Sequence, residues 1–260
     1  MSHFEVKNLH ITAEGKTVVG AASFALHGGE IHVLMGPNGS GKSSLLNAIM
    51  GHPKYTITEG KVVLDGKDIT HLPTEKKAQA GVFLSLQHLP EITGVTLTSF
   101  LHKAFRACLP EGEAQKGGDP NPAMAERASI TPLDFYKMME KRAKEFAIDA
   151  TFLKKHLNAG LSGGEKKQSE VLQLLALLPK FALLDEIDSG VDVDAQKNVF
   201  AVIEHLRAKG VGFLLVSHHA NLLKHIHPDQ VSVMKNGKIV ASGGKELVEK
   251  ISTGGFDAVS

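Results

Sequence analysis

A glycine-rich loop between a predicted strand and a predicted helix restricts this chain to a small group of folds. Residues 36–43 read Gly-Pro-Asn-Gly-Ser-Gly-Lys-Ser and satisfy the pattern G-x-x-x-x-G-K-[ST] at each fixed position. The apolar run at residues 30–35 predicts a buried strand before the loop, and apolar spacing predicts a helix over Lys42–Met50 after it. Backbone N–H groups of such a loop converge on one anion, so the motif predicts nucleoside triphosphate binding.

The residues of the loop have separate predicted tasks. Lys42 supplies an ammonium for the β- and γ-phosphates, and Ser43 offers a hydroxyl to Mg²⁺. Ser44 can donate to a phosphate oxygen, and the helix that begins near Gly41 adds its positive dipole end. The predicted nucleotide-binding set is Gly36, Pro37, Asn38, Gly39, Ser40, Gly41, Lys42, Ser43 and Ser44. The loop leaves open which base is bound and whether the γ-phosphate is hydrolysed or transferred.

A second apolar run ends in two carboxylates. Residues 181–184 predict a buried strand, and Asp185 and Glu186 follow it directly. Ligands of open parallel sheets lie at the carboxyl ends of the strands. We therefore expect Asp185 beside Mg²⁺ and Glu186 beside the attacking water, which a carboxylate can activate as a general base.

The remaining patterns predict an α/β fold with a mixed sheet. Further strand signals lie at residues 61–64 and 212–216, a helix at 193–206, and a type I′ hairpin at 231–241 around Asn236-Gly237. Helical spacing at residues 129–147 begins with a Thr131 cap and Pro132, and its apolar stripe predicts core packing. We predict a catalytic α/β core at residues 1–87 and 179–260, with a helical subdomain inserted at 88–178.

Composition excludes several classes of protein. With 29 basic and 28 acidic residues, the chain lacks the charge of a general nucleic-acid binder. Its single cysteine, Cys108, excludes an internal disulfide and a four-cysteine metal site, and we expect a buried or half-buried residue there. The apolar runs are shorter than the roughly 20 residues of a membrane span, and the amino-terminal stretch has no targeting pattern. We expect a cytoplasmic protein that reaches a membrane only through a partner.

The segment Leu161-Ser162-Gly163-Gly164-Glu165 resembles the LSGGQ signature of ATP-binding cassette (ABC) ATPases, with Glu in the last place. Small residues at a helix start form a second anion cradle. In that family the cradle caps the γ-phosphate bound by a second subunit. The resemblance thus implies an ABC-type domain in which Ser162, Gly163, Gly164 and Glu165 close over the nucleotide of a twin chain.

Other family positions can be matched to this sequence. Gln87 matches the Q-loop glutamine at Mg²⁺ and the attacking water, and residues 189–192 resemble the D-loop, with Asp192 at the dimer seam. His218 matches the switch histidine; its neighbour His219 is the alternative, and the Val-Ser-His context favours His218. The resemblance implies a catalytic set of Glu186, His218 and Gln87, and a magnesium set of Ser43, Gln87 and Asp185.

Two positions depart from the family pattern. Residues 13–19 contain no aromatic side chain on which adenine could stack, which leaves Lys16 or Val18 to pack there. Gln168 stands where close relatives carry Arg. The first departure makes the base preference less secure than phosphate binding, and we expect the second to loosen a contact in the signature helix.

Within the ABC ATPases, the chain resembles the SufC family, which serves the SUF iron–sulfur cluster assembly system. The resemblance covers nearly the whole chain and is carried best by Glu165-Lys166-Lys167 and by residues 87–95. It implies SufB- and SufD-like scaffold partners that dock around residues 88–109, and an ATP-driven pair of chains that remodels the scaffold. The alternatives are the ATPase subunit of a membrane transporter and a nucleotide-gated binding module with little turnover.

Overall fold

The chain folds into sheets that are packed against helices. The computed structural model describes residues 2–85, 91–108, 129–187, 193–219, 222–223 and 225–259. The described strands are β1 His3–Ala13, β2 Lys16–His27, β3 Ile31–Met35, β4 Tyr55–Leu64, β5 Lys67–Asp68, β6 Val82–Ser85, β7 Ile92–Thr96, β8 His156–Leu157, β9 Phe181–Asp185, β10 Gly212–Ser217, β11 Gln230–Lys235 and β12 Lys238–Gly243. The described α-helices are α1 Lys42–Met50, α2 Thr74–Gln79, α3 Leu97–Ala107, α4 Pro132–Glu145, α5 Gly163–Leu177, α6 Val193–Ala208 and α7 Lys245–Gly254.

The central element is a six-stranded sheet in the order β12-β11-β3-β10-β9-β6. All neighbouring strands are parallel except the β11–β12 pair. Both faces are buried: Val33 and Met35 of β3 belong to one hydrophobic cluster, and Leu34 between them belongs to another. The continuous apolar runs at residues 30–35, 181–184 and 212–216 follow from this two-sided burial, so the predicted mixed sheet is confirmed.

A second sheet has the strand order β2-β1-β4-β5. It shares one hydrophobic cluster with α1 and with one face of the central sheet. Its buried residues Phe4 and Leu9 share one hydrophobic cluster with Leu45 and Ile49 of α1. The sequence predicted only residues 61–64 of this sheet, whereas the strand extends over Tyr55–Leu64. Strands β1 and β2 were not predicted, because register shifts along their pairing interrupt the two-residue alternation.

Two local predictions are confirmed in detail. The β11–β12 turn has Asn236 at φ 47° and Gly237 at φ 77°, as a type I′ turn requires. Helix α4 begins at Pro132, and the Asp134 N–H donates to Thr131 Oγ1 over 3.2 Å. The helix is shorter than predicted and ends at Glu145.

The helices of the middle segment pack on the face of the central sheet opposite α1. Leu101 of α3, Phe135 of α4 and Leu172 of α5 share one cluster with Val33 and Leu215 of the sheet. The apolar stripe of α4 therefore packs in the core, as predicted. The boundaries at residues 87/88 and 178/179 remain predictions, and the Gly- and Pro-rich stretch at 110–122 lies outside the described residues.

Two expectations from composition meet the structure in this segment. Cys108 caps the end of α3 and is half-buried, as expected. Among the helices that the structure describes, none combines the length and apolar character that crossing a bilayer requires.

The end of helix α1 is held by a buried lysine. The Lys77 ammonium donates to the carbonyl oxygens of Ile49, over 2.7 Å, and Thr70, over 3.0 Å. The side chain is fully buried, and this burial lowers the pKa of Lys77. A cation at a helix carboxyl end also complements the helix dipole. The contact fixes the helix that follows the glycine-rich loop.

We predict that Lys77→Met lowers the free energy of unfolding by about 1–3 kcal/mol, because two buried carbonyls lose a charged donor. Urea denaturation with the linear extrapolation measures this change. The control is Lys67→Met, an exposed lysine on β5, which should change stability by less than about 0.5 kcal/mol. Equal stabilities for the two variants would contradict the assigned role of Lys77.

Candidate functional site

The carboxyl ends of three parallel strands meet at one edge of the central sheet. Met35 of β3 pairs with Ser217 of β10, and Val216 of β10 pairs with Asp185 of β9. The residues that follow these strands therefore surround a common cleft of about 570 Å³. The described residues that line it are Thr17, Val18, Asn38, Gly39, Ser40, Gly41, Lys42, Ser43, Ser44, Glu186, His218, Asn236 and Gly237.

The glycine-rich loop packs against the edge of the second sheet and against the β11–β12 hairpin. A Cβ on Gly36, at φ 152°, would lie 2.1 Å from the Met234 carbonyl oxygen. The Gly237 N–H donates to the Ser40 carbonyl over 2.9 Å. The sequence predicted Asn236-Gly237 as a turn only; the structure makes it a support of the loop and a wall of the cleft.

Lys42 directs its ammonium into the loop. Its Nζ donates to the carbonyls of Gly36, over 2.8 Å, and Pro37, over 2.9 Å. Burial lowers the pKa of Lys42, and the charges of Glu186 and Asp185 oppose this shift. The lysine thus lies between the loop and the two carboxylates. On nucleotide binding, phosphate oxygens would replace the loop carbonyls as acceptors of the hydrogen bonds from its ammonium.

Asp185 presents a carboxylate with spare binding capacity. Its Oδ1 atom is buried and has no hydrogen-bond partner among the described residues. Burial raises the pKa of Asp185, whereas a hydrogen bond from Ser43 lowers it. A carboxylate and a hydroxyl side by side are oxygen ligands of the kind Mg²⁺ prefers, so these residues fit the ion. Among the described residues, no group of three His, Cys, Asp or Glu side chains is placed to hold a metal.

Glu186 and His218 form a pair. The His218 Nδ1 atom lies 2.7 Å from Glu186 Oε1, and Nδ1 is assigned as the donor because a carboxylate only accepts hydrogen bonds. Glu186 adopts φ 52°, and its N–H donates to the Val216 carbonyl over 2.9 Å. The ring of His219 is adjacent at 3.8 Å, but of the two histidines only His218 lines the cleft. The geometry favours His218, as the Val-Ser-His context does.

The signature segment forms the capped start of helix α5. The Glu165 N–H donates to Ser162 Oγ over 3.3 Å, and the Ser162 N–H donates to Glu165 Oε2 over 2.8 Å, a reciprocal capping box. Ser162 and Gly163 are exposed, and Gly164 and Glu165 are half-buried. None of residues 162–165 is among the described residues that line the cleft. The segment is therefore open to a second molecule.

A buried polar cluster below the signature segment was not predicted. The Ser85 hydroxyl at the end of β6 donates to Glu170 of α5, and the Lys167 ammonium lies 2.9 Å from Glu170 Oε2. Burial raises the pKa of Glu170. The sequence feature that could have indicated this cluster is the position of Ser85, two residues before Gln87.

Some predicted site residues cannot be placed. Gln87 and Asp192, together with the rest of the D-loop stretch at 189–192, lie outside the described residues. Of the two candidates for a base contact, Val18 lines the cleft and Lys16 is exposed. Ser43 and Asp185 of the predicted magnesium set are brought together, as are Glu186 and His218 of the predicted catalytic set.

Comparison with known proteins places these features in one family. The family model described as "ABC transporter" matches residues 19–189. "Vegetative protein 296" of Bacillus subtilis (strain 168) is 42% identical over 256 residues, which cover 98% of this chain and 92% of that protein. A "Probable ABC transporter ATP-binding protein" of Streptococcus pyogenes serotype M3 is 39% identical over 260 residues, which cover 100% of this chain and 96% of that protein.

A solved structure, of an ATP-binding cassette of an ABC transporter, superposes with a TM-score of 0.75 at 25% identity. The match covers 99% of this chain and 98% of that chain. The phosphate loop, the acidic pair at the end of β9 and the capped signature helix thus occur together in a chain of that fold. The chain belongs to the ABC transporter family and is one of its ATP-hydrolysing, nucleotide-binding domains.

Proposed function

We propose that this ATPase belongs to the SufC branch of the family and powers the remodelling of a SufB/SufD-like scaffold for iron–sulfur cluster assembly. One observation carries this proposal beyond the family level. The two stretches that resemble SufC, residues 87–95 and Glu165-Lys166-Lys167, are joined by an ion pair of 2.8 Å between Glu91 and Lys166. The variant signature thus makes a contact with the segment that follows the Q-loop.

The proposed hydrolysis uses residues at the carboxyl ends of β3, β9 and β10. The loop amides and Lys42 hold the phosphates, and Ser43 and Asp185 hold Mg²⁺. The bound ion would supply charge neutralisation at the β- and γ-phosphate oxygens. Glu186 accepts a proton from the attacking water, and the His218 Nδ1–H keeps its carboxylate oriented toward the cleft. Gln87 is proposed as a further contact of the ion and water.

Two chains are proposed to complete each site. The cleft of one chain offers the phosphate loop and the acidic pair, while residues 162–165 are open at a separate surface. A two-fold pair of identical chains would bring each signature segment to the other chain's nucleotide and create two equivalent sites. Asp192 is proposed to lie at that seam.

The partner-docking surface is proposed around residues 88–109. In its described part, Ile92 is 40% exposed, and Lys103 and Arg106 of α3 are exposed as well. An exposed isoleucine and exposed basic side chains on the same stretch of chain suit a protein partner, since apolar contacts supply the binding free energy and charges supply orientation.

The second candidate function is the ATPase subunit of a membrane transporter. The name of the Streptococcus pyogenes relative favours it, because that protein is called a probable ABC transporter ATP-binding protein. The hydrolytic chemistry would be the same in both cases. Only the partner would differ: a soluble scaffold in the first, and a membrane-embedded protein in the second.

We predict that Glu186→Gln lowers the rate of ATP hydrolysis by about 10²–10⁴-fold, because the amide cannot accept the proton of water. ATP binding should remain, and ATP-dependent pairing should last longer. Phosphate release and light scattering measure the two effects. Glu204→Gln, an exposed position on α6, is the control and should hydrolyse at the wild-type rate. Equal hydrolysis by wild type and Glu186→Gln would exclude Glu186 as the base.

We predict that Asp185→Asn raises the Mg²⁺ concentration for half-maximal hydrolysis by about tenfold or more, because an amide oxygen is a weaker ligand. A Mg²⁺ titration at fixed ATP measures the shift, and chelation should abolish hydrolysis in every variant. Asp134→Asn, at the distant cap of α4, is the control. An unchanged Mg²⁺ requirement in Asp185→Asn would remove Asp185 from the metal site.

We predict that affinity purification of the tagged chain recovers soluble SufB- and SufD-like proteins and that Ile92→Asp loses them. Leu72→Asp is a matched control, because Leu72 is 39% exposed but lies outside residues 88–109. Urea denaturation of both variants shows that each is folded. Recovery of a protein with several membrane spans would favour the transporter, and retention of the partners by Ile92→Asp would disprove the docking surface.

A further inference from the structure

The signature segment contains a negatively charged side chain, Glu165, close to where we propose that the anionic triphosphate binds. Glu165 lies in the first turn of α5, beside the residues that the proposed function places at the twin's γ-phosphate. The hydrogen bond from Lys155, followed by that from the Ser162 N–H, lowers the pKa of Glu165 to about 2. The carboxylate is therefore ionised at neutral pH, and a bare carboxylate there would repel a triphosphate.

Lys155 is placed to offset that charge. Its Nζ lies 2.8 Å from Glu165 Oε1 and 4.7 Å from the centre of the Phe152 ring. Its backbone carbonyl accepts from the Leu97 N–H over 2.9 Å, which ties it to the start of α3. The ammonium is thus held between Glu165 and the Phe152 ring, and the backbone of Lys155 is fixed separately by the start of α3. Asp149 lies within electrostatic range of both partners and adds a second negative charge.

The next lysine along the signature helix is engaged elsewhere. The Lys166 ammonium lies 2.8 Å from Glu91, on the segment after the Q-loop. Lys154, beside Lys155 in sequence, points its ammonium to the Tyr136 ring at 5.6 Å. Among the described contacts of Glu165, the side-chain cation is that of Lys155.

We propose that Lys155 is a positioning residue of the ATP-bound pair of chains. It holds the Glu165 carboxylate in the capping box and neutralises it, so that the turn at residues 162–164 can receive the triphosphate of the twin chain. Lys155 acts through Glu165 and does not touch the nucleotide itself. The inference rests on the proposed function, in which this turn closes over the nucleotide of a second copy.

A purely structural reading of the same contact gives a different expectation. Exposed ion pairs contribute little to stability, so loss of Lys155 would then change neither folding nor pairing appreciably. The positioning role predicts a selective defect in ATP-dependent pairing. It also predicts that the pairing defect depends on the charge of Glu165. If the lysine stem had only a packing role, the defect would not depend on that charge.

The test compares Lys155→Met, Glu165→Gln and the double variant in the Glu186→Gln background, with Lys154→Met as the matched control. Light scattering gives the ATP concentration at which half of the chains are paired, and a fluorescent ATP analogue gives binding to the single chain. We expect Lys155→Met to raise the pairing concentration by about tenfold. The double variant should match Glu165→Gln alone, and Lys154→Met should match the parent.

Two results would overturn the inference while leaving the proposed function intact. One is pairing of Lys155→Met at the parent's ATP concentration. The other is a defect that Glu165→Gln fails to relieve, which would assign Lys155 to packing. If the parent itself binds ATP but no chain pairs, the proposed two-chain site is wrong, and the role of Lys155 falls with it.

Discussion

The structure depends on the parallel, in-register pairing of β3, β10 and β9. This pairing brings the carboxyl ends of three buried strands to one edge of the central sheet, so the residues that follow the strands begin at that edge. The loop that leads to Lys42, the Asp185-Glu186 pair and His218 meet there because of backbone hydrogen bonding. Their side chains then share one cleft, in which burial and charge act on the same few groups.

The first half of the signature helix makes charged and polar contacts with the rest of the chain. Glu170 is reached by Ser85 from the strand that leads to Gln87, and Lys166 is paired with Glu91 after it. Glu165 is paired with Lys155 near the start of α3. These links join the start of α5 to both sides of the segment where we propose that the partner docks. A partner at that segment would therefore act close to the residues that we propose close over the twin's nucleotide.

Much of the fold and of the lining of the candidate cleft could be predicted from the sequence, because those features are local. Apolar runs mark strands buried on both faces, and the loop pattern, the Thr131 cap and the Asn236-Gly237 turn each depend on neighbouring residues. Strands β1 and β2 escaped prediction because bulges break their alternation. The contacts of Glu170 and Glu165 escaped because their partners are distant in the chain or lie in a loop with no pattern of its own. Residue type alone showed charge there, and only the fold shows how the charge is balanced.

The most direct measurement of the central claim is a crystal structure of the Glu186→Gln variant with ATP and Mg²⁺. The account predicts two chains related by a two-fold axis, with each triphosphate between residues 36–44 of one chain and residues 162–165 of the other. Asp185 and Ser43 would both face the metal. A pair of chains that binds ATP while residues 162–165 of both contact only solvent would contradict it.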